Sequence, residues 1–145
     1  MRMLVARVNH AKLEVEGNLI SKIGSGYIVY FGVKDTDTIE LAEKCALKLN
    51  NMRLLHDEDG KMNLKLDPSI HEILVVSQFT LCGDCKKGTR PSFDKSAPPQ
   101  IANELYENFV EEIKNYGIPT QTGKFAAMMD VELINDGPVT FMIET

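Results

Sequence analysis

Polar side chains of several types follow an apolar run near the middle of the chain. Residues 73–76 are ILVV, and the side chains that come next are Ser77, Gln78, Phe79 and Thr80. A short run rich in β-branched residues predicts a strand buried on both faces. Such a strand would hold hydroxyl and amide groups rigidly, as a catalytic or binding site requires. The alternative is that these groups only solvate a strand end.

A second stretch, NDGPVT at residues 135–140, contains a Gly-Pro bond. An X-Pro bond can be cis at modest cost, and a tight turn usually holds it. If the carbonyls around Gly137 and Pro138 pointed the same way, they would form a small acceptor site for an ammonium group. A plain hairpin turn is the alternative.

The cysteines do not predict a metal centre. Cys82 and Cys85 form a C-x-x-C pair, but no second such pair and no suitably spaced histidine pair supplies the four ligands of a zinc site. We favour two free thiols, with a metal half-site and a labile disulfide as alternatives. The odd total of three cysteines fits a reducing compartment.

The remaining ionisable residues match no known reaction motif. G-x-S-x-G, H-E-x-x-H and phosphate-loop patterns are absent from the sequence. We interpret the three histidines, His10, His56 and His71, as turn or strand-end residues. The acidic residues 57–59 are most simply a solvated turn.

A basic loop over residues 82–97 is the candidate for contact with nucleic acid. It contains Lys86, Lys87, Arg90 and Lys95. Such side chains can neutralise a phosphate backbone. Because the net charge is −5, any nucleic-acid contact must be local rather than driven by a global basic field. The alternative is a solvated loop.

Length and hydropathy predict one domain over residues 1–145 in the cytoplasm. The chain has 145 residues, of which 43% are hydrophobic and 26% charged. Its first residues, MRMLVARV, lack the apolar centre of a signal peptide. No apolar run approaches the roughly 18 residues needed to span a bilayer.

Hydrophobic periodicity predicts an α+β fold. Apolar spacing of three and four predicts a helix over residues 37–49, with Asp37 and Glu40 as a capping pair. A second helix starts at Pro98-Pro99, with the apolar stripe Ile101, Leu105, Phe109, Ile113 and Tyr116. Alternation predicts seven to nine short strands, including separate strands over 129–134 and 139–144. The expected architecture is a mostly antiparallel, barrel-like curled sheet with the two helices on one side.

The residues as a set resemble the D-aminoacyl-tRNA deacylase (D-tyrosyl-tRNA deacylase) family. The two principal motifs are SQFTL at 77–81 and NDGPVT at 135–140. Supporting stretches occur in the family's order: Arg7-Val8, DGKMNL at 59–64, KGTRPSF at 87–93 and TGKFAA at 122–127. The chain departs from the family's usual residues at Ala6, His10, Cys82, Cys85 and Met128, outside both principal motifs.

The resemblance implies a homodimeric esterase with no metal and no cofactor. It would hydrolyse D-aminoacyl-tRNA and mischarged glycyl-tRNA as a proofreading step in translation. In such a dimer, Gly137 and Pro138 would reach into the partner's pocket, bind the substrate's α-ammonium through their carbonyls and exclude an L side chain. Arg7 would help to orient them.

The same resemblance assigns the other wall of the site to residues 77–80. Phe79 and Thr80 would offer backbone N–H groups to the developing oxyanion. No base lies next to Thr80 in the sequence, so its hydroxyl is a weak nucleophile. The ribose 2′-hydroxyl of the substrate would instead help to activate water. Phe125 and Met129 resemble pocket-wall residues, and the tRNA acceptor end would contact Lys86, Lys87 and Arg90.

Three other functions remain as hypotheses. One is an editing domain of the same fold that removes an L-amino acid from tRNA. The second is a non-catalytic RNA-binding dimer, and the third is a small thiol redox protein that uses Cys82 and Cys85.

Overall fold

The computed structural model describes residues 1–86 and 88–145. In that part of the chain there are eight strands, two α-helices and one 3₁₀ turn. In chain order they are β1 (Arg2–Val15), β2 (Asn18–Ile23), β3 (Gly26–Gly32), α1 (Ile39–Asn51), β4 (Leu55–His56), β5 (Met62–Leu64), β6 (Glu72–Ser77), the 3₁₀ turn (Phe79–Cys82), α2 (Pro99–Asn115), β7 (Thr120–Thr122) and β8 (Asp130–Glu144). No helix within the described ranges is long and apolar enough to cross a bilayer.

The main sheet is mixed, which corrects the prediction of a mostly antiparallel one. Its order is β2-β1-β3-β6-β7, with β8 on the other edge of β1. β1 is antiparallel to β2, β3 and β8, whereas β6 is parallel to both β3 and β7. The parallel pairs arise because α1 and α2 cross over between those strands and return the chain to the same end of the sheet. β2 also contacts β6 and β7, so the sheet curls towards a barrel.

β1 and β8 are each longer than the sequence indicates. β1 has 14 residues and β8 has 15, and they pair antiparallel along most of their length. The register shifts between Ala6 and Val8 and again between Val8 and His10. These irregularities bend the pair. They also interrupt the apolar alternation, and for this reason the sequence pattern of each long strand predicts two short strands.

β6 is buried on both faces, as predicted. Ile73 and Val75 belong to the core between the sheet and the helices. Leu74 and Val76 belong to a second core inside the curled sheet. All four side chains are at most 1% exposed. The end of this strand is therefore a rigid support for the residues that follow.

The two helices pack on one face of the sheet, but with different caps and stripes from those predicted. Thr38, not Asp37, caps α1 by accepting the N–H of Leu41. Asp37 instead accepts the N–H of Lys34 at 2.6 Å. In α2 the predicted stripe members Ile101 and Tyr116 are exposed. The face that is buried comprises Ala102, Leu105, Tyr106, Phe109, Val110 and Ile113. It is broader than predicted because α2 contacts both α1 and the sheet.

Candidate functional site

The polar end of β6 opens onto a pocket of about 600 Å³. Residues 77–80 form one part of its wall, and residues 125–129 form another. The pocket therefore brings together six of the residues predicted for the site: Ser77, Gln78, Phe79, Thr80, Phe125 and Met129. Most of the remaining lining comes from the end of β3 and from the start of α2 with the residues just before it, including Phe31, Ala97 and Ala102. Val76 of β6 and Val131 of β8 complete it. These residues have no recognisable site pattern in the sequence, because only the parallel pairing of β3 with β6 brings both strand ends to one edge.

The 3₁₀ turn presents backbone donors at the pocket wall. The N–H of Gln78 still bonds to the carbonyl of Phe31 at 2.8 Å, which extends the β3–β6 pairing by one residue. The turn then begins, and within the described residues the N–H groups of Phe79 and Thr80 have no acceptor. The first N–H groups of any helical turn lack such partners. Two adjacent N–H groups of residues that line the pocket are thus unpaired.

The hydroxyl of Thr80 is paired with an amide rather than with a base. The Nε2 of Gln78 donates to the Oγ1 of Thr80. Among the described residues, no ionisable side chain lines the pocket. A hydroxyl without a neighbouring base is a weak nucleophile. The site can stabilise negative charge through N–H groups, but it supplies no side chain to remove a proton.

The wall at residues 125–129 is fixed to β6 and β1. The ring of Phe125 lies 6.1 Å from that of Tyr106, whose hydroxyl donates to the carbonyl of Val75 at 2.9 Å. Burial raises the pKa of Tyr106, so its phenol remains a neutral donor. A Cβ on Gly123 would lie 2.7 Å from Sδ of Met129. A larger residue at this position would therefore displace the Met129 side chain.

Gly137 and Pro138 lie inside β8 rather than in a hairpin turn, and their peptide bond is cis. The predicted turn is wrong because β8 continues along β1 through the register shifts. The side chain of Asn135 bridges the irregularity by donating to the carbonyls of Arg7 at 2.8 Å and Val139 at 3.3 Å. Proline is tolerated at this position because, within the described part of the chain, β8 pairs with β1 alone and its other edge needs no N–H donor.

Arg7 lies next to this segment. Its Nε is 2.6 Å from Oδ2 of Asp136, and its Nη1 donates to the carbonyl of Leu54 at 2.6 Å. Arg7 is only 2% exposed. It therefore ties the Gly-Pro segment to the chain that follows α1.

Within one chain the Gly-Pro segment and the pocket are separate. Gly137 and Pro138 are exposed and are not among the residues that line the pocket. A Cβ on Gly137 would meet no atom within 4 Å. Nothing inside the described chain therefore requires glycine at this position.

The basic loop contains both signs of charge. Lys86 and Arg90 are exposed, and Lys87 lies outside the described residues. Lys86 and Lys95 line a second cavity of about 290 Å³ together with Asp84 and Asp94. The contact of this loop with tRNA remains a prediction.

The cysteines are free thiols in contrasting surroundings. Cys82 is buried and Cys85 is exposed. Burial raises the pKa of the Cys82 thiol, which disfavours the reactive thiolate. Among the described residues, no group of three or more His, Cys, Asp or Glu side chains is arranged to hold a metal ion.

Comparison with known proteins decides the family. The sequence matches the D-Tyr-tRNA(Tyr) deacylase family over residues 4–144. The chain belongs to this family. Membership makes this deacylase a hydrolase of the aminoacyl-tRNA ester bond, with tRNA as its substrate partner.

Individual relatives match this deacylase over its full length. It is 50% identical to a D-aminoacyl-tRNA deacylase of Thermosipho africanus, over 100% of this chain and 97% of that protein. A D-aminoacyl-tRNA deacylase of Haemophilus influenzae is also 50% identical, over 99% of each chain.

Two solved structures share the fold. One, described as the c-Myc DNA Unwinding Element Binding Protein, is 38% identical with a TM-score of 0.93, over 100% of this chain and 99% of the other. The second is described as a probable eukaryotic D-amino acid tRNA deacylase. It has a TM-score of 0.80 at 18% identity, covers 98% of this chain and 97% of the other, and supports the fold alone.

Proposed function

We propose that this deacylase hydrolyses the ester of D-aminoacyl-tRNA and of mischarged glycyl-tRNA, as a homodimer and without a metal ion. One observation carries the proposal. The pocket at the end of β6 has two unpaired backbone donors, from Phe79 and Thr80, and no ionisable lining side chain among the described residues. Such a site suits an ester whose own ribose 2′-hydroxyl can help to remove a proton from the attacking water.

The reaction then follows from charge stabilisation. Water attacks the ester carbonyl, and the oxyanion that forms accepts the N–H groups of Phe79 and Thr80. A donor of this kind typically lowers the barrier by about 3 kcal/mol. The ribose 2′-hydroxyl assists removal of the proton from the attacking water. The tetrahedral intermediate then expels the ribose 3′-oxygen, which takes up a proton, and the free amino acid leaves.

Selection against L-amino acids would come from a second copy of the chain. In the dimer, the carbonyls of Gly137 and Pro138 bind the α-ammonium, and their backbone occupies the space of an L side chain. The exposure of this segment in one chain supports this arrangement, as do the exposed apolar side chains of β8: Ile134, Phe141 and Met142. Arg7, Asp136 and Asn135 hold the segment in place. Glycine has no side chain, so the pocket cannot reject it.

The remaining predicted residues would bind the tRNA end. Phe125 and Met129 contribute apolar wall around the ester. The loop with Lys86, Lys87 and Arg90 would contact phosphates of the acceptor end, and salt would weaken that contact.

One assay tests the proposal. The protein is incubated with D-Tyr-tRNA, L-Tyr-tRNA and Gly-tRNA, with and without EDTA, and the released amino acid is measured. Release of D-Tyr and glycine but not L-Tyr, unchanged by EDTA, supports it. Release of L-Tyr would instead indicate an editing enzyme, and binding without any release would indicate an RNA-binding protein. Loss of activity in EDTA would overturn the metal-free mechanism.

A further inference from the structure

The far end of the 3₁₀ turn is held by a charged residue outside the pocket. Arg2 Nη1 donates to the carbonyl of Leu81 at 2.7 Å, and Arg2 Nε lies 3.1 Å from Oε1 of Glu144. Lys34 also binds Glu144 through its ammonium group. The first residues of β1 and the last of β8 thus form a clamp on the turn, which we call the Arg2 clamp (Arg2, Glu144 and Lys34).

The other sides of the turn are closely packed. A Cβ on Gly32 would lie 2.9 Å from the carbonyl oxygen of Gln78 and 3.1 Å from Sγ of Cys82, so the turn lies directly on the β3 backbone. On another side, the rings of Phe79 and Phe93 have centroids 5.1 Å apart. The turn therefore has defined neighbours along β3 and at Phe93, and the Arg2 clamp adds a hydrogen bond at its C-terminal end.

A four-residue 3₁₀ turn does not hold its own geometry well. Its hydrogen bonds are poorly aligned, and short runs depend on their surroundings. The bonds at its two ends run from Leu81 N–H to the carbonyl of Gln78 at 3.2 Å and from Gly83 N–H to that of Thr80 at 3.1 Å. Donors to an oxyanion must be placed within fractions of an ångström, because small displacements cost large factors in rate.

We propose that Arg2 is a positioning residue for ester hydrolysis, which sets the N–H groups of Phe79 and Thr80 through its bond to the Leu81 carbonyl. The inference rests on the proposed function for its catalytic consequence. Arg2 does not line the pocket, so it acts on the turn and not on the substrate. Glu144 orients the guanidinium so that Nη1 faces Leu81.

The chain offers a matched control for this clamp. Lys12 pairs with Glu132 at 3.1 Å, across the same two strands, and the two residues are direct cross-strand partners, as Arg2 and Glu144 are. The Lys12 side chain is 35% exposed and that of Arg2 is 30% exposed. Exposed pairs of this kind add little to stability. Loss of either pair should therefore affect folding similarly, but only one pair holds the turn.

The test compares Arg2→Gln, Arg2→Lys and Lys12→Gln in the full chain. For D-Tyr-tRNA, Arg2→Gln should lower kcat roughly ten- to a hundredfold with KM little changed. Arg2→Lys should recover part of the loss, because an ammonium can still reach one acceptor. Lys12→Gln should keep the wild-type kcat. The Tm of Arg2→Gln should stay within about 2 °C of the wild-type Tm. Unchanged kcat in Arg2→Gln, or equal losses in Arg2→Gln and Lys12→Gln, would overturn the proposal.

Amide hydrogen exchange tests the positioning without any substrate. The N–H groups of Leu81 and Gly83 report the bonds at the two ends of the turn. Their exchange should accelerate at least roughly tenfold in Arg2→Gln but not in Lys12→Gln. If wild-type protein released no D-Tyr, the proposed function would fail while this readout still decided whether Arg2 holds the turn. Unchanged exchange would overturn the role of Arg2 even in an active enzyme.

Discussion

Arg7 and Asp136 form an ion pair beside the cis Gly137-Pro138 bond, with Arg7 Nε 2.6 Å from Asp136 Oδ2. The two residues differ in exposure, since the side chain of Arg7 is 3% exposed and that of Asp136 is 42% exposed. A buried guanidinium is thus paired with a carboxylate at the surface. This geometry orients the Gly-Pro segment and leaves Gly137 and Pro138 exposed at the surface.

Asp136→Asn should impair hydrolysis more than folding. Because the carboxylate is partly exposed and the amide oxygen that replaces it can still accept a hydrogen bond from the buried Arg7, the loss of charge should cost about 1 kcal/mol in unfolding free energy. We expect kcat/KM for D-Tyr-tRNA to fall by roughly tenfold, the factor that 1.4 kcal/mol of lost positioning would give. Urea unfolding and deacylation kinetics measure the two effects. Glu132→Gln, on the same strand, is the control, and equal activity of both variants would contradict the assignment.

Thr80→Val should keep most of the activity. The variant retains the backbone N–H and removes only a hydroxyl that is bonded to Gln78. Loss of a true nucleophile usually lowers kcat by 10⁴ or more, so a change of roughly tenfold or less separates the two mechanisms. Steady-state kinetics with Thr80→Ser as the hydroxyl-retaining control provide the measurement. A fall of several orders of magnitude with KM unchanged would make Thr80 the nucleophile.

Gly137→Ala should fold normally yet lose deacylation. The added Cβ meets no atom within 4 Å in its own chain, so stability should change by about 0.5 kcal/mol or less. In the proposed dimer, the same methyl group enters the partner's pocket, and we expect at least a roughly tenfold lower kcat/KM. Thermal unfolding and the D-Tyr-tRNA assay are measured in parallel. Full activity in this variant would place the segment outside the site.

Cys85 should be the one thiol that alkylating reagents reach in the folded protein. Cys45 and Cys82 are buried, and burial raises the pKa of both thiols. Treatment with iodoacetamide near pH 7.5 should add a single label, located by peptide mass spectrometry, without loss of deacylation. Labelling of Cys82 before unfolding, or loss of activity with the first label, would revive the thiol redox hypothesis.

The Glu144 carboxylate should make stability sensitive to strong acid. Hydrogen bonds from Lys34, and then from Arg2, lower its pKa from 4.5 to about 2. A lowered pKa adds stability that is fully present above pH 4.5 and is lost as the pH falls towards 2. Because the pair is exposed, the Tm difference between wild type and Glu144→Gln should be small. It should be constant above about pH 5 and nearly vanish near pH 2. A difference that persists at pH 2 would assign the effect to packing instead of charge.

Local patterns predicted those elements whose burial follows a simple period. The apolar run at residues 73–76 is a strand buried on both faces, because two cores lie against it. The helix predicted over 37–49 is present as Ile39–Asn51, and its cap moves to Thr38 because Asp37 bonds to Lys34 instead. The turn implied between the separate strands predicted over 129–134 and 139–144 is absent for a different reason. Its turn-forming residues lie in a strand whose irregular pairing with β1 accepts them.

By itself, the sequence determined the reaction family and predicted the two halves of the candidate site, because the side chains of residues 77–80 and the Gly-Pro bond are local features. The tertiary structure decided what those halves touch. Parallel pairing of β3 with β6 builds the pocket around the first half, and the long β1–β8 pair carries the second half away from it. The hydrogen bond from Arg2 to Leu81 likewise cannot be predicted from local sequence, since the two residues are 79 positions apart. Such contacts depend on strand order and register, which long-range packing selects and local periodicity does not encode.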